Sequence, residues 1–175
     1  FSNTFVVDVG DSFQLAIIKQ PVDIVAGNII FNFASIKVVD KGTNLVNTSI
    51  SNVSAKLSGF RGNISFEALS TACIAGVATF SNPPIRNNGT SYILTFSSFG
   101  LLSAATLPFA VVPGPAFFMT IATFPGYGLG GLIFQPAVNL QSTDLWGNLL
   151  HSGFSNGPDR TAFVSILGCS PFVCV

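Results

Sequence analysis

The chain has 175 residues, 49% of them hydrophobic and 8% charged, whereas an ordinary soluble domain carries about 25% charged residues. Seven Lys/Arg balance seven Asp/Glu, so no basic excess is available to neutralise phosphates, which excludes a nucleic-acid binder. The apolar content also excludes disorder.

No charged side chain lies between Arg86 and Asp144. Charge normally keeps a surface solvated, so glycan, protein neighbours or lipid must cover this one. A helical membrane span is not expected. The most apolar stretch, residues 101–124, contains Pro108, Pro113 and Pro115, which break a helix. A transmembrane barrel would need eight or more strands of about 10 residues with a polar lumen face, more than units of this size supply. The chain opens at Phe1 with neither Met nor a signal-peptide pattern, as expected of a mature or partial chain.

Taken in chain order, the expected strands are residues 4–9, 12–19, 28–39, 53–57, 64–69, 77–80, 92–97 and 107–112. Gly, Pro and Asn punctuate them, as at Asn82-Pro83-Pro84 and Asn87-Asn88-Gly89. Tyr92, Leu94 and Phe96 alternate with more polar positions, the period of a half-buried strand. No segment has a helical period over three turns.

Sliding the chain by 104 positions reveals an internal repeat, with 13 identities over the 48 positions 5–52. Chance would give about 6–7% for this kind of composition. Phe5, Val7, Gly10, Phe13, Ile17, Pro21, Gly27, Ile29, Asp40, Asn44 and Leu45 meet identical residues, as do Ser51 and Asn52. A period near 100 residues with short alternating strands reads as a β-sandwich. Asp40 with Asn44, and Asp144 with Asn148, read as turns between strands, because Asp and Asn bond their own backbone there. The competing calcium reading lacks the six to eight oxygen ligands that ion takes.

The order of Pro21 and Gly27, Asp40 and Asn44, Gly76-Val77-Ala78-Thr79-Phe80-Ser81, Gly89-Thr90-Ser91-Tyr92-Ile93-Leu94-Thr95-Phe96 and Phe109-Ala110-Val111-Val112-Pro113-Gly114 resembles tandem immunoglobulin-like repeats. Such repeats build large secreted and cell-surface proteins, including subunits of glycosylated extracellular filaments of the mastigoneme or adhesin kind. The full set covers residues 20–114 once, and the second unit matches through Asp144-Leu145-Trp146-Gly147-Asn148. The first turn departs from the D-x-x-G-N pattern, reading Asp40-Lys41-Gly42-Thr43-Asn44. The resemblance implies an all-β chain of tandem Ig-like β-sandwich domains.

The repeat is out of phase with the chain. Residues 4–9 align with the last strand of a unit, so residues 1–10 form an N-terminal extended strand arm, with Thr4, Phe5, Val6, Val7 and Val9 as its assembly residues. Residues 11–113 make Ig-like domain 1, and 114–175 a partial, incomplete domain 2. Residues 161–167 match 51–57, and equivalents of the later strands are expected to be missing. Three explanations stand: donation of the arm to the open sheet of another copy, with 114–175 as acceptor; truncation; or a shorter, independently closed second domain.

Four N-x-S/T sequons occur, at Asn47, Asn52, Asn63 and Asn88, against about two expected by chance. Glycan there would solvate what charges do not, the alternative being plain polar loop residues. Of the three cysteines, Cys169 and Cys174 are the disulfide candidate, while Cys73 is either a buried small hydrophobe or an inter-subunit partner. A zinc site from these thiols and His151 lacks any C-x-x-C spacing.

Catalytic patterns are missing. His151 is the one histidine, G-x-S-x-G is absent, and the glycine-rich run 126–131 has no following Lys, so it reads as a strand connection. The expectation is a non-enzymatic structural subunit of an extracellular glycosylated filament. Its partners would be copies of itself, with no cofactor, metal, nucleic acid or membrane span. The alternatives are a cell-surface adhesin or lectin-type module using Trp146 and Tyr127, or a fragment of a longer multi-Ig surface protein.

Overall fold

The computed structural model describes residues 4, 6–59, 69–81, 85–124, 126, 136 and 138–150. Among them the chain is all-β, with no helix, and therefore none long and apolar enough to cross a membrane. The strands are β1 (Gln14–Lys19), β2 (Ile24–Val25), β3 (Ala34–Val39), β4 (Asn52–Ser58), β5 (Leu69–Ala72), β6 (Val77–Phe80), β7 (Gly89–Ser97), β8 (Ala104–Ala105), β9 (Phe109–Val112), β10 (Phe118–Thr123) and β11 (Asn139–Thr143).

Strands β1 to β9 make a sandwich. One sheet has the order β1-β3-β6, the other β2-β9-β7-β4-β5, with β8 pairing beside β7. All these pairings are antiparallel except the parallel pair β2–β9. Alternation along each strand fills the space between the sheets. Val53, Ala55 and Leu57 point inward from β4, Tyr92, Leu94 and Phe96 from β7, and Phe109 and Val111 from β9. They meet Leu15, Ile36, Val38, Ala78 and Phe80 of the opposite sheet. Phe80 crosses to Phe96 with ring centroids 5.1 Å apart, and Phe33 meets Phe109 edge-on at 5.2 Å. Burying each large side chain contributes about 1.5–3 kcal/mol relative to leaving it exposed. Cys73 belongs to this core, and burial pushes its thiol above the ordinary value.

The turns follow from backbone chemistry. Ala75 and Gly76 both take positive φ, 50° and 74°, between the paired Ile74 and Val77. This is the twist a two-residue hairpin needs. A β-carbon on Gly76 would also strike the carbonyl of Val46.

Two expectations need correction. The strand over 28–39 begins only at Ala34, because Asn32 takes a φ of 52° in a preceding turn that leaves Phe31 exposed. Thr4 and residues 6–9 lie in no sheet among the described residues, although their pattern reads as a strand. Most of the expected strand 64–69 lies outside the described residues, and β5 is seen from Leu69.

The second unit starts again with β10 and β11. Their register is the β1–β3 register moved by 104 residues, irregularity included. Gln14 faces Val39 as Phe118 faces Thr143, Ile17 faces Ile36 as Ile121 faces Leu140, and Lys19 faces Ser35 as Thr123 faces Asn139. The repeat seen in sequence is thus a repeat of hydrogen-bonding geometry.

Candidate functional site: the junction between two units

Each unit carries the same device after its second long strand. In the first, Asp40 Oδ2 accepts the Gly10 N–H at 2.9 Å, and Oδ1 accepts the Asn44 N–H at 2.9 Å. In the second, Asp144 Oδ2 accepts the Gly114 N–H at 2.8 Å, and Oδ1 accepts those of Asn148 and Trp146, each at 2.9 Å. The side-chain amides of Asn44 and Asn148 add further bonds to the same carboxylates. Thr43 and Gly147 supply the left-handed residue of the turn, with φ of 67° and 82°. The turn reading of these positions holds, since both oxygens of each carboxylate receive N–H donors.

The electrostatics follow. The Gly10 N–H, then the Asn44 side chain and backbone, hold the Asp40 carboxyl below its ordinary 3.8. Burial pushes Asp144 up, but hydrogen bonds from the Asn148 side chain and from the Gly114, Asn148 and Trp146 amides outweigh it and leave that carboxyl lowered as well.

The two turns differ in what covers them. Asn148 is buried, and its side chain clamps the end of the first sandwich. Its Oδ1 accepts the Asn88 N–H at 3.0 Å and its Nδ2 donates to the Arg86 carbonyl at 2.7 Å. Trp146 lies against Gly27, where a β-carbon would fall 2.7 Å from indole Cε2 and where φ is +81°. The Arg86 guanidinium lies over the indole, 4.5 Å from the ring centroid. Together these make a polar and aromatic coupling between consecutive units. Asn44 has no such cover: it is exposed, and none of the described residues donates to its Oδ1.

The arm residues Thr4, Val6, Val7 and Val9 are exposed, Val6 and Val7 to 85% and 80%. By the 104-residue offset Val7 corresponds to Val111, which is buried in β9. Asn47 is exposed in a turn, and Asn52 is exposed at the head of β4, where its Oδ1 accepts from Ser70. Asn88 is half-buried beside the junction. Phe5, Asn63, Tyr127, His151, Cys169, Cys174 and most of the glycine-rich run lie outside the described residues. Sequence reasoning found the Asp and Asn turn but missed Gly27, Arg86 and Asn88 as its receptors. The available signal was the identity of Gly27 with Gly131 and of Asn44 with Asn148.

Neither a protein-family model nor a curated protein matches the chain. Among solved structures it is similar to a β-glycosidase from Bacteroides vulgatus, with 14% identity, a TM-score of 0.43, and coverage of 57% of this chain and 14% of that one. It is also similar to domains 4–9 of the surface layer protein SbsC, with 17% identity, a TM-score of 0.37, and coverage of 81% of this chain and 21% of that one. The chain therefore spans less than a quarter of either structure's length.

Proposed function

We propose that the chain is a non-enzymatic structural subunit of an extracellular glycosylated filament, built head to tail by donor-strand complementation between immunoglobulin-like sandwiches. The carrying observation is the arm. Val6, Val7 and Val9 expose apolar strand residues, and Gly10 behind them is tied to Asp40 as Gly114 behind β9 is tied to Asp144. A segment with the pattern and exit geometry of a closing strand, but in no sheet among the described residues, is suited to enter another copy's sheet. That contact is heterologous, and unless it closes into a ring it propagates as a filament.

The immunoglobulin-like reading is supported by the strand order β1-β3-β6 over β2-β9-β7-β4-β5. It is also supported by Tyr92, whose hydroxyl donates to the Asn87 carbonyl at 2.8 Å near the start of β7, a tyrosine corner. An acceptor face is available on β10, where Met119 is 50% exposed although its equivalent Leu15 is only 4% exposed. The saccharide-binding alternative is weakened at Trp146, because Arg86 occupies one face of the indole and Gly27 its edge.

Removal of residues 1–9 is the direct test. Electron micrographs of the intact glycoprotein are expected to show filaments, and the truncated chain is expected to stay folded and monomeric. Discrete monomers of the intact protein, or filaments formed without the arm, would overturn the reading.

A further inference from the structure

The outer edge of β9 is closed partly by side chains. The chain leaves the smaller sheet at Lys19, crosses through Gln20, Pro21, Val22 and Asp23, and joins the larger sheet as β2. On the way Gln20 Oε1 accepts the Leu107 N–H at 3.1 Å, and Asp23 Oδ1 accepts the Ala110 N–H at 2.7 Å. Pro108, between those two donors, has no N–H to offer. From Val111 the backbone takes over. Ile24 and Val25 pair with Val111 and Val112, and the Ala26 N–H donates to the Val112 carbonyl at 2.8 Å. We propose that Gln20 and Asp23 guard this edge, occupying the N–H groups at which a strand of a neighbouring copy would otherwise add to the larger sheet.

Burial does not account for the pair. Both side chains are exposed, whereas β2 is anchored from within the core by Ile24 and Ala26, 3% and 5% exposed. The edge itself needs cover. Leu107 and Val22 beside it are 69% and 61% exposed, and an unpaired edge flanked by apolar side chains is a template for association. Charged side chains are a common defence of such edges, and only 8% of this chain is charged. Gln20 is neutral and makes the same kind of bond as Asp23, so the occupied N–H does the guarding rather than repulsion. The neighbouring edge at β1 is closed by main chain instead: the Leu15 N–H donates to the Leu102 carbonyl, and the Leu102 N–H to that of Phe13. The guard concerns the first sandwich alone and does not depend on the arm.

The test uses the full chain in three forms: wild type, the double variant Gln20→Ala with Asp23→Ala, and the double variant Gln20→Glu with Asp23→Asn. The last keeps both acceptors and the summed charge. Hydrogen exchange at the Leu107 and Ala110 amides is combined with sedimentation velocity, at concentrations where wild type sediments as one species. In the alanine variant both amides are expected to exchange at least tenfold faster when dilute. As concentration rises it should associate, and the same amides should become protected again. The acceptor-keeping variant should behave like wild type in both measurements. If the alanine variant associates no more than wild type, or associates with these amides still fast, the guard is wrong. Association of the acceptor-keeping variant would overturn it too, since the hydrogen bonds would then not be what protects the edge. Should the alanine pair lower the melting temperature sharply, Gln20→Ala alone gives the same reading at Leu107, with Asp23 and β2 left in place.

Discussion

Gly27 is where a single residue governs the coupling of two units. Its φ of +81° lies in the left-handed region, and the space a side chain would need is taken by Trp146. Gly27→Ala therefore meets backbone strain and an indole clash together, and the indole must leave. Trp146 is the one tryptophan of the chain, 38% exposed under Arg86, so its fluorescence reports this junction alone. A red-shifted emission maximum is expected for Gly27→Ala and for Asn148→Ala. The first sandwich should melt nearly unchanged in Asn148→Ala and lose about 1–2 kcal/mol of stability in Gly27→Ala, the cost of a left-handed alanine. An unshifted spectrum in both would mean that the indole does not depend on these contacts. The carboxylates beside it set an acid limit. Both are lowered below 3.8, so the native state binds fewer protons than the unfolded chain below that value. Their contribution is complete above 3.8 and is lost as pH falls through the lowered values. Asp144→Asn is expected to cost about 2 kcal/mol at neutral pH, the worth of a charge-assisted hydrogen bond. It should also flatten the acid side of a melting-temperature profile; an unchanged acid slope would assign acid sensitivity elsewhere.

At the scale of elements, what was legible in the sequence depended on length and repetition. β7 was readable because Tyr92, Leu94 and Phe96 alternate over a long strand, and all three are buried. β10 and β11 were not among the expected strands, because they carry little alternation that a reader could use alone; the signal for them was the 104-residue offset from β1 and β3, whose register they share down to the irregularity. β2 and β8 were missed because two residues have no period. Their place is set by neighbours: Ile24 pairs with Val111, and Ala104 with Phe96. The start of β3 was placed too early because Ile29, Ile30 and Phe31 look like strand, and only the left-handed Asn32 ends that run. The junction was half legible. Asp144 and Asn148 were identified as a turn, but that Asn148 reaches residues about 60 positions earlier is a tertiary fact no local pattern encodes.

At the scale of the whole molecule, low charge calls for two kinds of cover, and their placement is testable. Between Arg86 and Asp144 the exposed apolar side chains include Phe99, Leu107, Phe117, Phe118 and Met119, with Asn88 the one sequon, at its margin. That run includes β10, whose Phe118, Met119 and Ile121 are exposed, and on the proposed filament reading a protein neighbour is its cover. Exposed Ile50 sits between the sequons Asn47 and Asn52, and Asn52 faces Ala72 across the β4–β5 pair, close along the chain to exposed Ile74. Sugar on those two asparagines would lie beside exposed apolar side chains, which favour association when bare. The paired change Asn47→Gln and Asn52→Gln is therefore expected to raise binding of a hydrophobic dye and lower solubility several-fold. The melting temperature should stay within a few degrees, because neither side chain enters the core. Removal of the arm should instead leave solubility tied to the β10 face. Mass spectrometry of the native protein gives the direct check: unmodified Asn47 and Asn52 would leave this surface to a protein neighbour as well.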